Sequence, residues 1–133
     1  MIRKLFIISL VWAVLILILC GIPGGSLPSS RFFHIPNFDK IVHTALYFPL
    51  AIFLGAEFDL SKKSILRITG PLLTMLLVTV YGGLIEILQE KLFSNRSSDI
   101  VDLLADVIGG LLGLTIYYLF LRPFFHRLSV RKP

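Results

Sequence analysis

Four long apolar segments, separated by short polar stretches, constrain the fold of this chain more than any other feature. They run over about residues 5–22, 38–56, 68–88 and 99–121. A helix that spans a membrane needs about 20 predominantly apolar residues, and each segment is close to that length. Hydrophobic residues make up 56% of the chain, whereas soluble domains average about 45–50%. The sequence therefore predicts an all-α integral membrane protein, in which residues 1–133 form a single four-transmembrane-helix bundle.

The first apolar segment begins like a signal peptide, with Arg3 and Lys4 before an apolar run. The run is long for a signal peptide, and no small-residue cleavage site follows it. We therefore expect an uncleaved first helix.

The distribution of the positive charges predicts the orientation. The net charge is +5, but the sequence lacks the basic run with interleaved aromatic residues that would indicate nucleic-acid binding. Nine of the Lys and Arg residues lie at the N-terminus, between segments two and three, and in the tail, against four on the other side. The positive-inside rule then places both termini in the cytoplasm. We expect a multi-pass protein of the bacterial inner (cytoplasmic) membrane.

Ionisable residues gather at the segment ends that this topology places on the outer side. On segment two, Asp39, Lys40, His43 and Tyr47 follow each other at positions i, i+1, i+4 and i+8. Spacings of three and four residues bring side chains to one helical face. Such a face would present an acid, a base, an imidazole and a phenol together.

Segment four repeats this pattern with Asp99, Asp102 and Asp106 at i, i+3 and i+7. At about 1.5 Å per residue, Asp106 lies roughly 10 Å along the helix from Asp99. A charged side chain near the middle of a membrane helix costs about 2.5–3.5 kcal/mol on insertion scales. Asp106 therefore needs a partner, and the sequence offers Lys40, Arg96 and His43.

Segment three contributes Glu86 and Gln89 at its end, on one face with Gly82. Ordinary explanations also apply to several of these positions. Asp39 and Asp99 suit helix N-termini, where the helix dipole favours an anion. The pattern Gly109-x-x-x-Gly113 is typical of closely packed membrane helices.

Known catalytic and metal-binding motifs do not occur in the sequence. It has no Cys/His metal spacing, G-x-S-x-G, P-loop or H-E-x-x-H, so it assigns no catalytic residue, no metal ligand and no resident cofactor. A divalent cation is still an option, because carboxylate oxygens are the ligands that Ca²⁺ and Mg²⁺ prefer. The acids Asp39, Glu86, Asp99, Asp102 and Asp106 outnumber Lys40 and Arg96 by five to two.

Three blocks of these residues, in order, resemble the VanZ-like membrane protein family and cover about residues 39–113. They are Asp39-Lys40-x-x-His43, then Tyr81-Gly82-x-x-x-Glu86-x-x-Gln89, and finally Arg96-Ser97-Ser98-Asp99-Ile100-Val101-Asp102-x-x-x-Asp106-x-x-Gly109. The resemblance implies a small polytopic inner-membrane protein of the cell envelope. It also implies a link to antibiotic resistance, since the named member is associated with low-level resistance to teicoplanin.

The resemblance implies a family site formed by these residues, and one position departs from the family pattern. The family usually has Asn where this chain has Asp106, so the extra carboxylate favours binding of a cation or a proton. Together with the charge pattern, this gives a set of candidate ligand-binding residues. They are Asp39, Lys40, His43, Glu86, Gln89, Arg96, Asp99, Asp102 and Asp106.

Three functions are compatible with the sequence. The first is binding or processing of an anionic lipid or cell-wall precursor headgroup, with Lys40, Arg96 and His43 near phosphate and the carboxylates orienting them or holding a divalent ion. The second is a proton-coupled transporter or flippase using Asp106 and Glu86, which with four helices would need a homo-oligomer. The third is a structural ionic network in a protein that acts through a partner. Whether the protein is an enzyme stays open at this stage.

Overall fold

The computed structural model describes residues 2–21, 37–92 and 99–130. Its helices are α1 (Ile2–Cys20), α2 (Phe38–Asp59), α3 (Ser64–Leu92) and α4 (Ile100–Ile116), and α4 continues through a π-helical turn, Tyr117–Leu121, into α5 (Arg122–Val130). The described residues contain no strand. Within the described ranges, four stretches are long and apolar enough to cross a membrane: Ile2–Cys20, Phe38–Asp59, Ser64–Lys91 and Ile100–Val130. The predicted all-α fold with four spans is confirmed.

The helices are longer than the apolar segments that predicted them. Helix α3 begins at Ser64, four residues before the predicted start, and α4 and α5 continue past residue 121. The hydrophobic pattern marks only the part of a helix that suits lipid, whereas polar residues can extend the helix beyond it. A helix beginning at residue 68 would have Pro71 in its first turn, but because α3 begins at Ser64, Pro71 lies in its interior.

The chain passes up and down, so that alternate helix ends meet. The amide of Gln89 near the end of α3 donates to the carbonyl oxygen of Cys20, at the end of α1, across 2.8 Å. At the opposite end, Leu5 of α1 packs in one cluster with Ile52, Ala56 and Tyr117. The start of α2, the end of α3 and the start of α4 therefore share one end of the bundle.

Helices α2 and α4 form the closest pair, because glycines on α4 admit the backbone of α2. A Cβ atom at Gly109 would lie 2.5 Å from the carbonyl oxygen of Thr44, and one at Gly113 would overlap that of Phe48. The Thr44 hydroxyl also donates to the carbonyl oxygen of Ala105 at 3.1 Å. The close packing predicted for Gly109 and Gly113 is confirmed.

Hydrogen bonds to backbone carbonyls also join α1 to α2 and α3 to α1. Trp12 Nε1 donates to the carbonyl oxygen of Leu46 at 2.8 Å, and the Tyr81 hydroxyl donates to that of Ala13 at 2.5 Å. In an apolar interior these donors would be costly without a partner. Here backbone carbonyl oxygens accept both hydrogen bonds, so the donors are satisfied by uncharged partners.

A second ionic group, which the sequence analysis did not single out, lies at the end of the bundle far from Lys40. Asp59, only 2% exposed, accepts hydrogen bonds from the Tyr117 hydroxyl at 3.0 Å and from His126 Nε2 at 2.7 Å. Arg122 donates to both of its carboxylate oxygens, at 3.0 and 3.1 Å. We call these four residues the Asp59 group. It ties the end of α2 to α5.

The close approach of α2 and α4 makes a stability prediction. Gly109→Ala should lower the free energy of unfolding by about 1–3 kcal/mol, the usual cost of overpacking, because the new methyl group meets backbone. Gly83→Ala is the matched control, since a Cβ there meets nothing within 4 Å. Reversible unfolding in mixed detergent micelles measures both variants. Equal stability of the two would contradict the packing described here.

Candidate functional site

Seven ionisable residues from three helices meet at one end of the bundle, and we call them the polar cluster. Helix α2 contributes three from its first two turns, α3 contributes one, and the start of α4 contributes three. They are Asp39, Lys40, His43, Glu86, Asp99, Asp102 and Asp106.

Lys40 lies at the centre of the polar cluster. Its ammonium group is 3.1 Å from Asp39 Oδ2, 2.9 Å from Asp99 Oδ2 and 2.8 Å from Asp102 Oδ1. Three carboxylates therefore share one positive charge, and two of them belong to the start of α4. The Lys40 side chain is 22% exposed, so this arrangement lies at the edge of the bundle, within reach of ligands from outside.

Asp99 connects this ion-pair group to the backbone of α4. Its carboxylate caps the helix by accepting from the Val101 backbone N–H at 2.8 Å. The hydrogen bond from Lys40, followed by the one from Val101, lowers the pKa of Asp99 below its usual value. Asp99 therefore stays ionised throughout the physiological range, and its contribution to stability is lost only when the pH falls through this lowered value.

His43 and Asp106 form a buried pair one turn deeper. His43 Nδ1 is 2.9 Å from Asp106 Oδ1, and the two residues are 3% and 0% exposed. Asp106 was predicted to need a partner, and the structure assigns His43 to that role. The second carboxylate oxygen, Oδ2, has no hydrogen-bond partner within the described part of the chain. It lies against Gly82, where a Cβ would overlap it.

Glu86 links α3 to the start of α4. Its Oε2 accepts from the backbone N–H of Asp99 at 3.0 Å, and the residue is 5% exposed. Ligand atoms of His43, Glu86 and Asp102, one from each, all lie within 4.8 Å of one another, and all three residues are buried. One imidazole and two carboxylates are a donor set that Mn²⁺ or Zn²⁺ accepts.

The surroundings of His43 agree with this candidate cation site. Metal-binding histidines usually donate the other ring N–H to a carboxylate, which fixes the ring and its tautomer. Asp106 holds Nδ1 in that way, which directs Nε2 away from it. Because the sequence assigned no metal ligand, this set is an addition from the three-dimensional arrangement.

One predicted site residue stands apart from the polar cluster, and a second lies outside the described residues. Gln89 is 4% exposed, and its amide is bonded to the end of α1, so it stabilises the packing of α3 on α1. Arg96 lies outside the described residues. The structure thus brings together seven of the nine predicted residues.

Tyr47, which continues the predicted face of α2, lies just inside the polar cluster. It is fully buried, and its ring centroid is 6.1 Å from that of Tyr81. Its hydroxyl has no partner in the described ranges. Tyr47 therefore forms the inner wall of the site, and its hydroxyl makes no hydrogen bond to the described residues.

Comparison with known proteins places this arrangement in a family. The family model described as VanZ/LLP1 matches residues 5–121, nearly all of the bundle. The chain belongs to the VanZ/LLP1 family. No curated protein and no solved structure matches it. The family match confirms the resemblance based on the three sequence blocks and, with the four apolar helices, supports a multi-pass membrane protein of the VanZ kind.

The ion-pair group makes a second stability prediction. Lys40→Met should lower the free energy of unfolding by about 1.5–3 kcal/mol, the range for hydrogen bonds to charged groups, because three carboxylates lose their shared cation. Adding Asp102→Asn should recover part of this loss, since it removes one of the repelling charges. Lys91→Met, at an exposed position near the same end of the bundle, is the control. Additive effects of Lys40→Met and Asp102→Asn would contradict direct coupling.

Proposed function

We propose that the polar cluster binds the phosphate-bearing headgroup of an anionic membrane lipid through a divalent cation. The observation that carries this proposal is the convergence of His43, Glu86 and Asp102 at buried positions on three helices. Asp106 supports it from behind by orienting His43.

The charge balance favours a cation between the protein and the phosphate. Lys40 was expected to meet phosphate directly, but three carboxylates already surround it. Among the described residues, the polar cluster contains five acids against Lys40 and His43, and this excess of negative charge opposes the binding of a bare phosphate. A bound divalent cation inverts the local electrostatics and attracts phosphate oxygens, which often complete the coordination of such ions. Both roles considered for the carboxylates have support: Lys40 is oriented by its three carboxylate partners, and the set of one imidazole and two carboxylates fits a divalent cation.

The position of the polar cluster favours a lipid over a soluble anion. The cluster lies in the end turns of helices that are long and apolar enough to cross a membrane, which is the level of lipid headgroups. The predicted orientation places this end at the outer leaflet, and lipid-linked cell-wall precursors carry phosphate there. A role in the cell envelope, and in teicoplanin resistance, is part of this proposal. Cysteine labelling from either side of the membrane tests the orientation.

A proton-coupled carrier or flippase is the second candidate function. It is supported by the fully buried His43–Asp106 pair and by the partnerless Tyr47 hydroxyl further inside the described bundle. Buried acids and histidines in membranes often relay protons. Substrate movement in proteoliposomes that depends on a pH gradient, and not on divalent cations, would favour this function over the first.

Removal of one cation ligand tests the leading proposal. We expect purified wild-type protein to bind Mn²⁺, seen by electron paramagnetic resonance, and to retain dioleoyl phosphatidic acid in native mass spectrometry only when Mn²⁺ is present. Glu86→Gln should lose both, because the amide oxygen is a poorer cation ligand than a carboxylate. Glu90→Gln, an exposed acid four residues along α3, should retain both. Phosphatidic acid binding that is indifferent to Mn²⁺ would refute the cation-mediated mechanism.

The position where the family usually has Asn gives a graded prediction. Asp106→Asn keeps an oxygen that can accept from His43 Nδ1, so Mn²⁺ affinity should fall only within the about 10–100-fold range of changes behind a metal ligand. Asp106→Leu removes the acceptor and should reduce affinity further. Mn²⁺ titrations of the two variants, each with its unfolding curve, measure this order. A reversed order would exclude the orienting role of Asp106.

A further inference from the structure

An open apolar groove of about 570 Å³ runs between α2 and α4 and begins at the polar cluster. Lys40 lies at its polar end. Ile41, Ala45 and Phe48 of α2 form one wall, and Leu104 and Ile108 of α4 form the other. We call this feature the α2–α4 groove. Because Lys40 also bonds Asp99 and Asp102, the groove and the polar cluster are continuous.

The interior of the groove offers no obvious anchor for a polar ligand away from Lys40. Its lining includes Thr44 and Ala105, and the Thr44 hydroxyl is already bonded to the Ala105 carbonyl oxygen. Ile41, Leu104 and Ile108 are 58%, 54% and 51% exposed. Large apolar side chains thus line both sides of the groove, and the Thr44 hydroxyl between them already makes a hydrogen bond. Such a surface suits a hydrocarbon chain.

The length of the groove fits one hydrocarbon chain within a single leaflet. Lys40 and Phe48 are eight residues apart on α2, which corresponds to about 12 Å at 1.5 Å per residue. The hydrocarbon core of a bilayer is about 30 Å thick, so the groove covers less than one leaflet's share of the span.

We propose that the α2–α4 groove holds one hydrocarbon chain of the lipid whose phosphate headgroup lies at the polar cluster. This inference rests on the proposed function for the headgroup and adds the substrate class: a lipid recognised by its chain as well as its phosphate. Lys40 lies where the two parts of the ligand join, with its ammonium group toward the carboxylates and its position on α2 at the end of the groove.

A filled groove separates the two parts of recognition. Ala45 is exposed in the groove, so Ala45→Phe places a ring there without entering the helix core. With Mn²⁺ present, this variant should bind dioleoyl phosphatidic acid at least about tenfold more weakly, while Mn²⁺ and glycerol 3-phosphate bind as in wild type. Native mass spectrometry measures the lipid and calorimetry measures the soluble phosphate. Leu76→Phe, at a 56% exposed position on α3, is the control for an added ring facing lipid.

Each outcome separates the groove from the headgroup site. Phosphatidic acid binding by Ala45→Phe equal to that of Leu76→Phe would overturn the groove proposal, even if Mn²⁺ and glycerol 3-phosphate bind. Wild type that binds phosphatidic acid but neither Mn²⁺ nor glycerol 3-phosphate, with the lipid lost in Ala45→Phe, would support the groove and refute the headgroup mechanism. Conversion of a dimer to a monomer by Ala45→Phe, with lipid binding intact, would overturn the proposal in favour of a contact between copies.

Discussion

The three ion pairs of Lys40 determine how the rest of the polar end is arranged. Two of them hold the first turn of α2 against the start of α4. Further along the same two helices, Gly109 and Gly113 let the backbones approach closely. Three carboxylates this close together repel one another unless a cation lies among them, so a single lysine among them fixes the relative position of both helices. The same contact fixes Asp102 as a candidate cation ligand and marks the polar end of the α2–α4 groove.

The two ionic groups in the described part of the bundle differ in how many of their carboxylate oxygens already accept hydrogen bonds. Asp59 accepts from Tyr117, from His126 and twice from Arg122, which leaves little capacity for a ligand. The polar cluster has an excess of acids and an Asp106 oxygen without a partner among the described residues. A saturated group stabilises a helix junction, whereas a group with spare acceptors can take up a cation. This difference is the reason for assigning the function to the polar cluster.

Sequence periodicity predicted the parts of this site that depend on a single helix. Asp99, Asp102 and Asp106 share a face because helix geometry requires it, and four apolar segments predict four spans. Gln89 is different: three residues from Glu86 on α3, it is rotated by about 60° at 3.6 residues per turn, enough to face α1 while Glu86 faces α4. Packing between helices decides which neighbour each face of a helix contacts. The periodicity of a single sequence does not show that packing.

The Asp59 group escaped prediction. The sequence offered Glu86 and Asp102 among the acids for a divalent cation, but it did not show that they join His43 in one cation set. Arg122 follows a π-helical turn, in which its N–H bonds to the carbonyl oxygen of Tyr117, so an α-helical register misplaces its side chain. The cation set combines one residue from each of three helices, and no spacing in the sequence relates them. In both cases the chemistry depends on distances between elements. A lipid whose headgroup lies at the polar cluster and whose chain lies in the α2–α4 groove would bind across the same helix junction. Headgroup and chain recognition would then both require α2 and α4 to remain in contact.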